Sequence, residues 1–139
     1  MITPYWEHFE HEADIGVRGY GNTPAQAFEQ AALAMMAIIV DLSLIQNREV
    51  IELHCSDNDP DVLLTDWLNS LVYQIATRKM LFAQFDVRIK NGRLSARAWG
   101  EAIEIERHQP AVEIKGATFT ELAVKQTDDY WLAQCVVDV

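Results

Sequence analysis

Asp14-Ile15-Gly16-Val17-Arg18 and, far along the chain, Trp131-Leu132-Ala133-Gln134-Cys135-Val136-Val137-Asp138-Val139 both alternate in polarity. In the first, Ile15 and Val17 share one face, while Asp14, Gly16 and Arg18 share the other. In the second, Trp131, Ala133, Cys135, Val137 and Val139 form the apolar face, so Asp138 points away from it. Side chains of a strand alternate with a period of two, so each stretch reads as a strand carrying an acid on its polar face. Laid side by side, these strands would bring together two side-chain carboxylates and the carboxylate of Val139. The alternation thus predicts an acidic site assembled from opposite ends of the chain.

Working outward, two helices stand out. Thr23-Pro24-Ala25-Gln26 offers a capping hydroxyl, a proline at the first helical position and a glutamine to close a capping box. Phe28, Ala31, Ala32, Met35, Met36 and Ile39 follow at helical spacing. Asp59-Pro60 repeats the signal before Leu64, Trp67, Leu68, Leu71, Val72 and Ile75, a broad stripe that predicts a largely buried helix. Strands are expected over 5–10, 14–21, 49–55, 85–90, 94–106, 111–125 and 130–138. Asn91-Gly92 is a hairpin signal, since both residues tolerate the positive φ of a type I′ turn. Leu94, Ala96 and Ala98 are apolar at even positions but Ile103 and Ile105 at odd ones, so Gly100 between them predicts a bulge. This order gives an α+β fold, with two helices packed on mainly antiparallel sheet.

The 139 residues make a single domain, 1–139, large enough to bury roughly two thirds of its unfolded surface. No apolar run approaches the ~18–20 residues of a membrane span, and Tyr5-Trp6-Glu7-His8 follows the first residues too soon for a signal peptide. A cytoplasmic protein is expected. Cys55 and Cys135 show no Cys-x-x-Cys and no neighbouring histidine at ligand spacing, so both read as reduced, buried thiols. Twenty-one acids against eleven bases give a charge of −10, which repels a phosphate backbone. The sequence shows no Lys/Arg cluster. Direct, tight nucleic-acid binding is not expected; a basic protein or a cation is.

Phosphate-binding loops, nucleophile elbows and a complete dinucleotide fingerprint are missing. His11 and Asp14 are three residues apart, a spacing that does not place them on one face of a strand. Asp14, Asp138 and the carbonyls or carboxylate of 138–139 supply hard oxygen donors, suited to Ca²⁺, Mg²⁺ or Mn²⁺ rather than zinc; read blandly, both acids are solvated strand residues. Lys115 stands where it would meet a phosphate or an acid, although an exposed strand lysine needs no role. His108, beside Gln109-Pro110, reads as a surface-turn histidine, with a ligand or proton carrier as the sharper alternative. Glu101 lies at the expected bulge. Asp66 and Trp67 read as one exposed acid and one core aromatic.

Several blocks in order resemble the archease family: His11-Glu12-Ala13-Asp14-Ile15-Gly16; Tyr20-Gly21 through Ala27-Phe28-Glu29-Gln30-Ala31-Ala32; Asp66-Trp67-Leu68-Asn69-Ser70-Leu71-Val72-Tyr73; Leu81-Phe82; Gly100-Glu101; Val112-Glu113-Ile114-Lys115-Gly116-Ala117-Thr118; and Val136-Val137-Asp138-Val139. Glu12 stands where the family usually has Thr, Gly116 where Ala is common, and Val139 where the ending is usually Ile or Leu. The resemblance implies two strand-helix-strand-strand modules, one inserted in the other. It implies a protein cofactor rather than an enzyme, one that activates RtcB-type RNA ligases by promoting GTP-dependent guanylylation and multiple turnover in tRNA splicing or RNA repair. It carries a metal site over to Asp14, Asp138 and the backbone of Val139, with Ca²⁺ the leading cation, and places Lys115, His11 and His108 near it. The rival classes are a metal-dependent hydrolase, which lacks an evident nucleophile or general base here, and a general chaperone, which calls for a large exposed apolar patch.

Overall fold

Two capped helices set the frame of the structure, a computed structural model that describes residues 1–139. Helix α1 spans Pro24–Ile39; the Thr23 hydroxyl accepts from the Gln26 N–H at 3.1 Å, and the Gln26 side chain reaches back to the Asn22 N–H at 2.8 Å. Helix α2 spans Pro60–Arg78 and is capped by Asp59, whose carboxylate accepts from the Asp61 N–H at 2.9 Å. All six residues expected on the α1 core face are buried. On α2, Leu64, Trp67, Leu68 and Leu71 are buried, while Val72 and Ile75 pack at the rim. Asp66 is half-buried rather than exposed, and burial together with Asp57 raises its carboxyl pKa.

The strands form two antiparallel sheets. β1 (Tyr5–His11), β2 (Asp14–Gly21) and β8 (Trp131–Asp138) lie in that order, and β6 (Gly116–Ala117) and β7 (Ala123–Gln126) both pair with β8. The second sheet has the order β3 (Glu49–Ser56), β5 (Arg93–Ala102), β4 (Met80–Lys90). The unit β3-α2-β4-β5 is thus inserted between α1 and β6 of the other module. Helix α1 packs on β1, β2 and β8 of one sheet and on β4 of the other, while α2 packs on β3, β4 and β5 and reaches β6 and β7. The helices therefore lie between the sheets, around a cluster of 30 buried residues. Trp67 is fully buried there, its indole N–H donating to the Phe28 carbonyl at 3.1 Å. No helix is long and apolar enough to cross a membrane.

Three expectations need correction. The 94–106 strand ends at Ala102, and Ile105–His108 forms a short helix, α3. The apolar phase changes at Ile103 and Ile105 because the chain has left the sheet. The bulge belongs to β4, where the register slips between Phe82 and Gln84, and Gly100 faces it. A Cβ on Gly100 would lie 1.8 Å from the Leu81 carbonyl oxygen, so the close approach of β4 demands glycine. The expected 111–125 strand is only the two short strands β6 and β7, separated by a turn in which Glu121 has φ 55°. The β4–β5 turn forms as read, with Asn91 at φ 52° and Gly92 at φ 74°.

Candidate functional site

β1 and β2 are joined by only Glu12 and Ala13, with Glu12 at φ 54°. The tight turn makes His11 and Asp14 the closing cross-strand pair. Directly opposite residues of antiparallel strands share a face, so these two do come together, contrary to the sequence reading. That reading separated the strands at 11–13 but applied the spacing rule of a continuous strand to His11 and Asp14; the two-residue turn is what folds His11 back over Asp14.

Strand β8 adds the second acid. Its register against β2 runs as far as Ile15 opposite Val137, and the same register carried one residue further puts Asp14 of β2 beside Asp138 of β8. On the other edge of β8, Gly116 faces Asp138, and the Lys115 N–H donates to the Asp138 carbonyl at 2.8 Å. His11, Asp14, Asp138 and Gly116 thus form a row across four strands. Strands ~4.8 Å apart bring the opposed side chains of neighbouring strands close to each other. Gly116 adds no side chain to the row. Val139, next to Asp138, packs its side chain against the core and so fixes the backbone there.

Two carboxylates placed opposite each other repel. Neither Asp14 nor Asp138 has a cationic side chain within 4.0 Å to offset that repulsion. Asp138 is exposed and Asp14 half-buried, so the row is open to solvent. A hard divalent cation fits this donor set, since carboxylate and carbonyl oxygens suit Ca²⁺, Mg²⁺ and Mn²⁺. No group of three or more His, Cys, Asp or Glu side chains is arranged to hold a metal, so further donors must be backbone oxygens or water. The Asp138 carbonyl accepts from the Lys115 N–H and keeps a second lone pair, and the Val139 oxygens are the next backbone donors along the chain.

His108 lies elsewhere. Its side chain is fully buried, contrary to the surface-turn reading, and its ring Nδ1 accepts from the Glu104 N–H at 2.9 Å. The proton is therefore on Nε2, which donates to the Glu101 carboxylate at 2.9 Å. Glu101, itself buried, also accepts from Arg107 and from the Gln46 N–H, each at 2.7 Å. The hydrogen bonds from Arg107, ahead of those from Gln46 and His108, hold its carboxyl down at about 2 against the opposing effect of burial. Arg107 pairs with Glu104 as well. No hydrogen bond or ion pair joins this cluster to Asp14 or Asp138. It fastens α3 and the 41–46 segment to β5, a structural task.

Both cysteines are free; Cys135 is buried, Cys55 half-buried, and burial raises their thiols to about 12 and about 11 respectively. Neither is poised as a nucleophile.

A family profile described as the Archease protein family (MTH1598/TM1083) matches residues 6–139. The chain is 40% identical to the archease of Thermococcus gammatolerans and 37% identical to that of Pyrococcus abyssi, in each case over 96% of this chain and 98% of the relative. Its fold superposes on the solution structure of Methanobacterium thermoautotrophicum protein 1598 with a TM-score of 0.85, at 33% identity over 96% of this chain and 98% of that one. An archease of Thermotoga maritima, described as a possible chaperone, shares the fold at TM-score 0.64 and 18% identity, over 94% of each chain. The chain belongs to the archease family.

Proposed function

We propose that this protein activates an RtcB-type RNA ligase in the cytoplasm, promoting its guanylylation by GTP so that each ligase molecule turns over repeatedly. The observation that carries the reading is that the paired strands β2 and β8 run out together at Asp14 and Asp138, neither acid in an ion pair, with the Lys115 N–H bonded to the Asp138 carbonyl, in a chain of this family. A divalent cation held by Asp14, Asp138 and the Val139 oxygen, Ca²⁺ first among the candidates, would supply a fixed positive charge for phosphate or carboxylate groups of the partner. The protein's own residues do the rest. Asp14 and Asp138 hold the cation near the rim of the sheet, and the exposed Lys115 ammonium reaches an anionic group of the ligase or its nucleotide, because a protonated amine cannot itself be a metal ligand. His11, opposite Asp14, borders the same surface.

The test is product formed per ligase molecule from 3′-phosphate or 2′,3′-cyclic phosphate RNA with GTP and Mn²⁺, using sub-stoichiometric amounts of this protein. Multiple turnover only in its presence is the expected result. A ligase from the same source that stops after a single turnover either way overturns the reading. Hydrolysis of the RNA end or nucleotide by this protein alone would favour an enzyme instead.

A further inference from the structure

Four of the eleven lysines and arginines share the solvent face of the three-stranded sheet: Arg88 and Lys90 on β4, Arg93 and Arg97 on β5. In sequence they occupy spaced positions and form no run. The β4–β5 hairpin stacks them. Lys90 stands directly opposite Arg93 beside the Asn91–Gly92 turn, and Arg88 opposite Ser95. Like charges placed opposite each other cost stability, and no acid lies within 4.0 Å of Lys90 or Arg93.

The acids on this face do not neutralise it. Glu52 lies 3.9 Å from Arg97 and Asp86 3.7 Å from Arg88, long and solvent-exposed pairs that hold their partners only weakly. Asp57 donates its N–H to the Gly92 carbonyl at 2.9 Å, but its carboxylate turns toward α2, accepting from the Asp59 N–H. The remaining negative charge of the molecule acts weakly here, since charges beyond about 8 Å are screened at physiological salt.

Arg88, Lys90, Asn91, Arg93 and Ser95 line a concavity of about 530 Å³ that has no apolar residue. His54 borders it, opposite Ser95. We propose that this face binds the phosphate backbone of a single-stranded nucleic acid. Arg88 and Lys90 stand about 7 Å apart along β4, and Arg93 and Arg97 about 13 Å apart along β5 with Ser95 between them, a spread that suits an extended polyanion better than a compact ligand. Protein partners anchor through buried aromatic and apolar side chains, which this concavity does not offer. Trp99 is half-buried on the same face of β5, one alternate position beyond Arg97, where a base can stack. The surface lies on the opposite sheet from the two acids and does not rest on the ligase reading.

The experiment titrates a labelled oligouridylate with the full-length protein and reads fluorescence anisotropy. Three neutralised phosphates predict a logarithmic salt slope of about −2, so affinity falls about 20-fold between about 50 and about 200 mM salt. The combined variant Arg88→Gln, Lys90→Gln, Arg93→Gln weakens binding by about tenfold or more at low salt and flattens the slope. Lys79→Gln and Lys125→Gln, outside the patch, leave it unchanged. Circular dichroism establishes that each variant folds, and the single variants Lys90→Gln and Arg93→Gln, each with a smaller loss in the same direction, carry the test if the combined one does not. Absence of saturable binding at low salt, equal binding by the patch variants, or equal displacement by an oligoglutamate overturns the proposal.

Discussion

The buried ring of His108 donates to the Glu101 carboxylate at 2.9 Å, tying α3 back to the end of β5. The same carboxylate takes Arg107, so one acid holds two consecutive side chains of the helix. A neutral histidine is what this arrangement uses, because Nδ1 is occupied by the Glu104 N–H.

Glu101 makes stability depend on acid. Its carboxyl is held at about 2, below its ordinary 4.5, so the folded state binds this proton less tightly than the unfolded chain. The stabilisation is complete above the unfolded value and is lost as pH falls toward the folded one. Chemical denaturation should show stability falling between about pH 4.5 and 2, with that component missing in Glu101→Gln. At neutral pH the substitution leaves a donor facing a donor and should cost about 2 kcal/mol. A variant as stable as wild type at pH 7 would remove Glu101 from this role.

Asp14→Asn keeps the size of the side chain and removes one charge from the opposed pair. Calorimetric titration with Ca²⁺ or Mn²⁺ should show at least about tenfold weaker binding, with an unchanged far-ultraviolet spectrum. Asp138→Ala should lose cation binding and ligase activation together. Equal cation affinity in wild type and Asp14→Asn would dissolve the shared site.

Lys115 separates docking from metal binding. Its backbone N–H, which every residue but proline retains, is what bonds to Asp138, so Lys115→Ala should preserve the β6–β8 pairing. Ligase guanylylation should fall while cation affinity and melting temperature hold. Normal activation by Lys115→Ala would leave the lysine an ordinary solvated residue.

Gly100→Ala forces a methyl group to 1.8 Å from the Leu81 carbonyl oxygen, a backbone atom that cannot swing aside. The expected cost is about 3 kcal/mol, read as a melting temperature lower by roughly 10 °C. A shift of a degree or two would mean that the bulge in β4 relaxes freely.

Both major helices were legible because their caps are local: Thr23 and Asp59 bond within two or three residues, and proline follows each. The Asn91–Gly92 turn was legible for the same reason. The polar face shared by Asp14 and Asp138 followed from alternation alone, but their register came from pairing across the whole chain. The break between β6 and β7 stayed hidden because apolar residues continue on both sides of Thr118–Leu122, and Glu121 is not a residue whose chemistry announces a positive φ. The break between the first two strands was legible, but Glu12–Ala13 holds no Gly or Asn to announce a two-residue turn, so the His11–Asp14 pair was not. The proline after Gln109 suggested an exposed His108; its burial depends on Glu101 and Arg107 closing over a turn that propensity does not encode. The basic patch needed the hairpin before spaced residues became neighbours.

β8 is the strand that makes the first sheet a sheet. Without it β6 and β7 have no strand partner, and β1 and β2 remain an isolated hairpin, which is marginal in water. The inserted unit from β3 to β5, by contrast, is contiguous in sequence and holds its own three strands. During synthesis that unit has all its strands while the surrounding module still waits for its keystone. The acidic row thus exists only once β8 has joined β2, and any cation captured there marks a chain whose distant segments have already met.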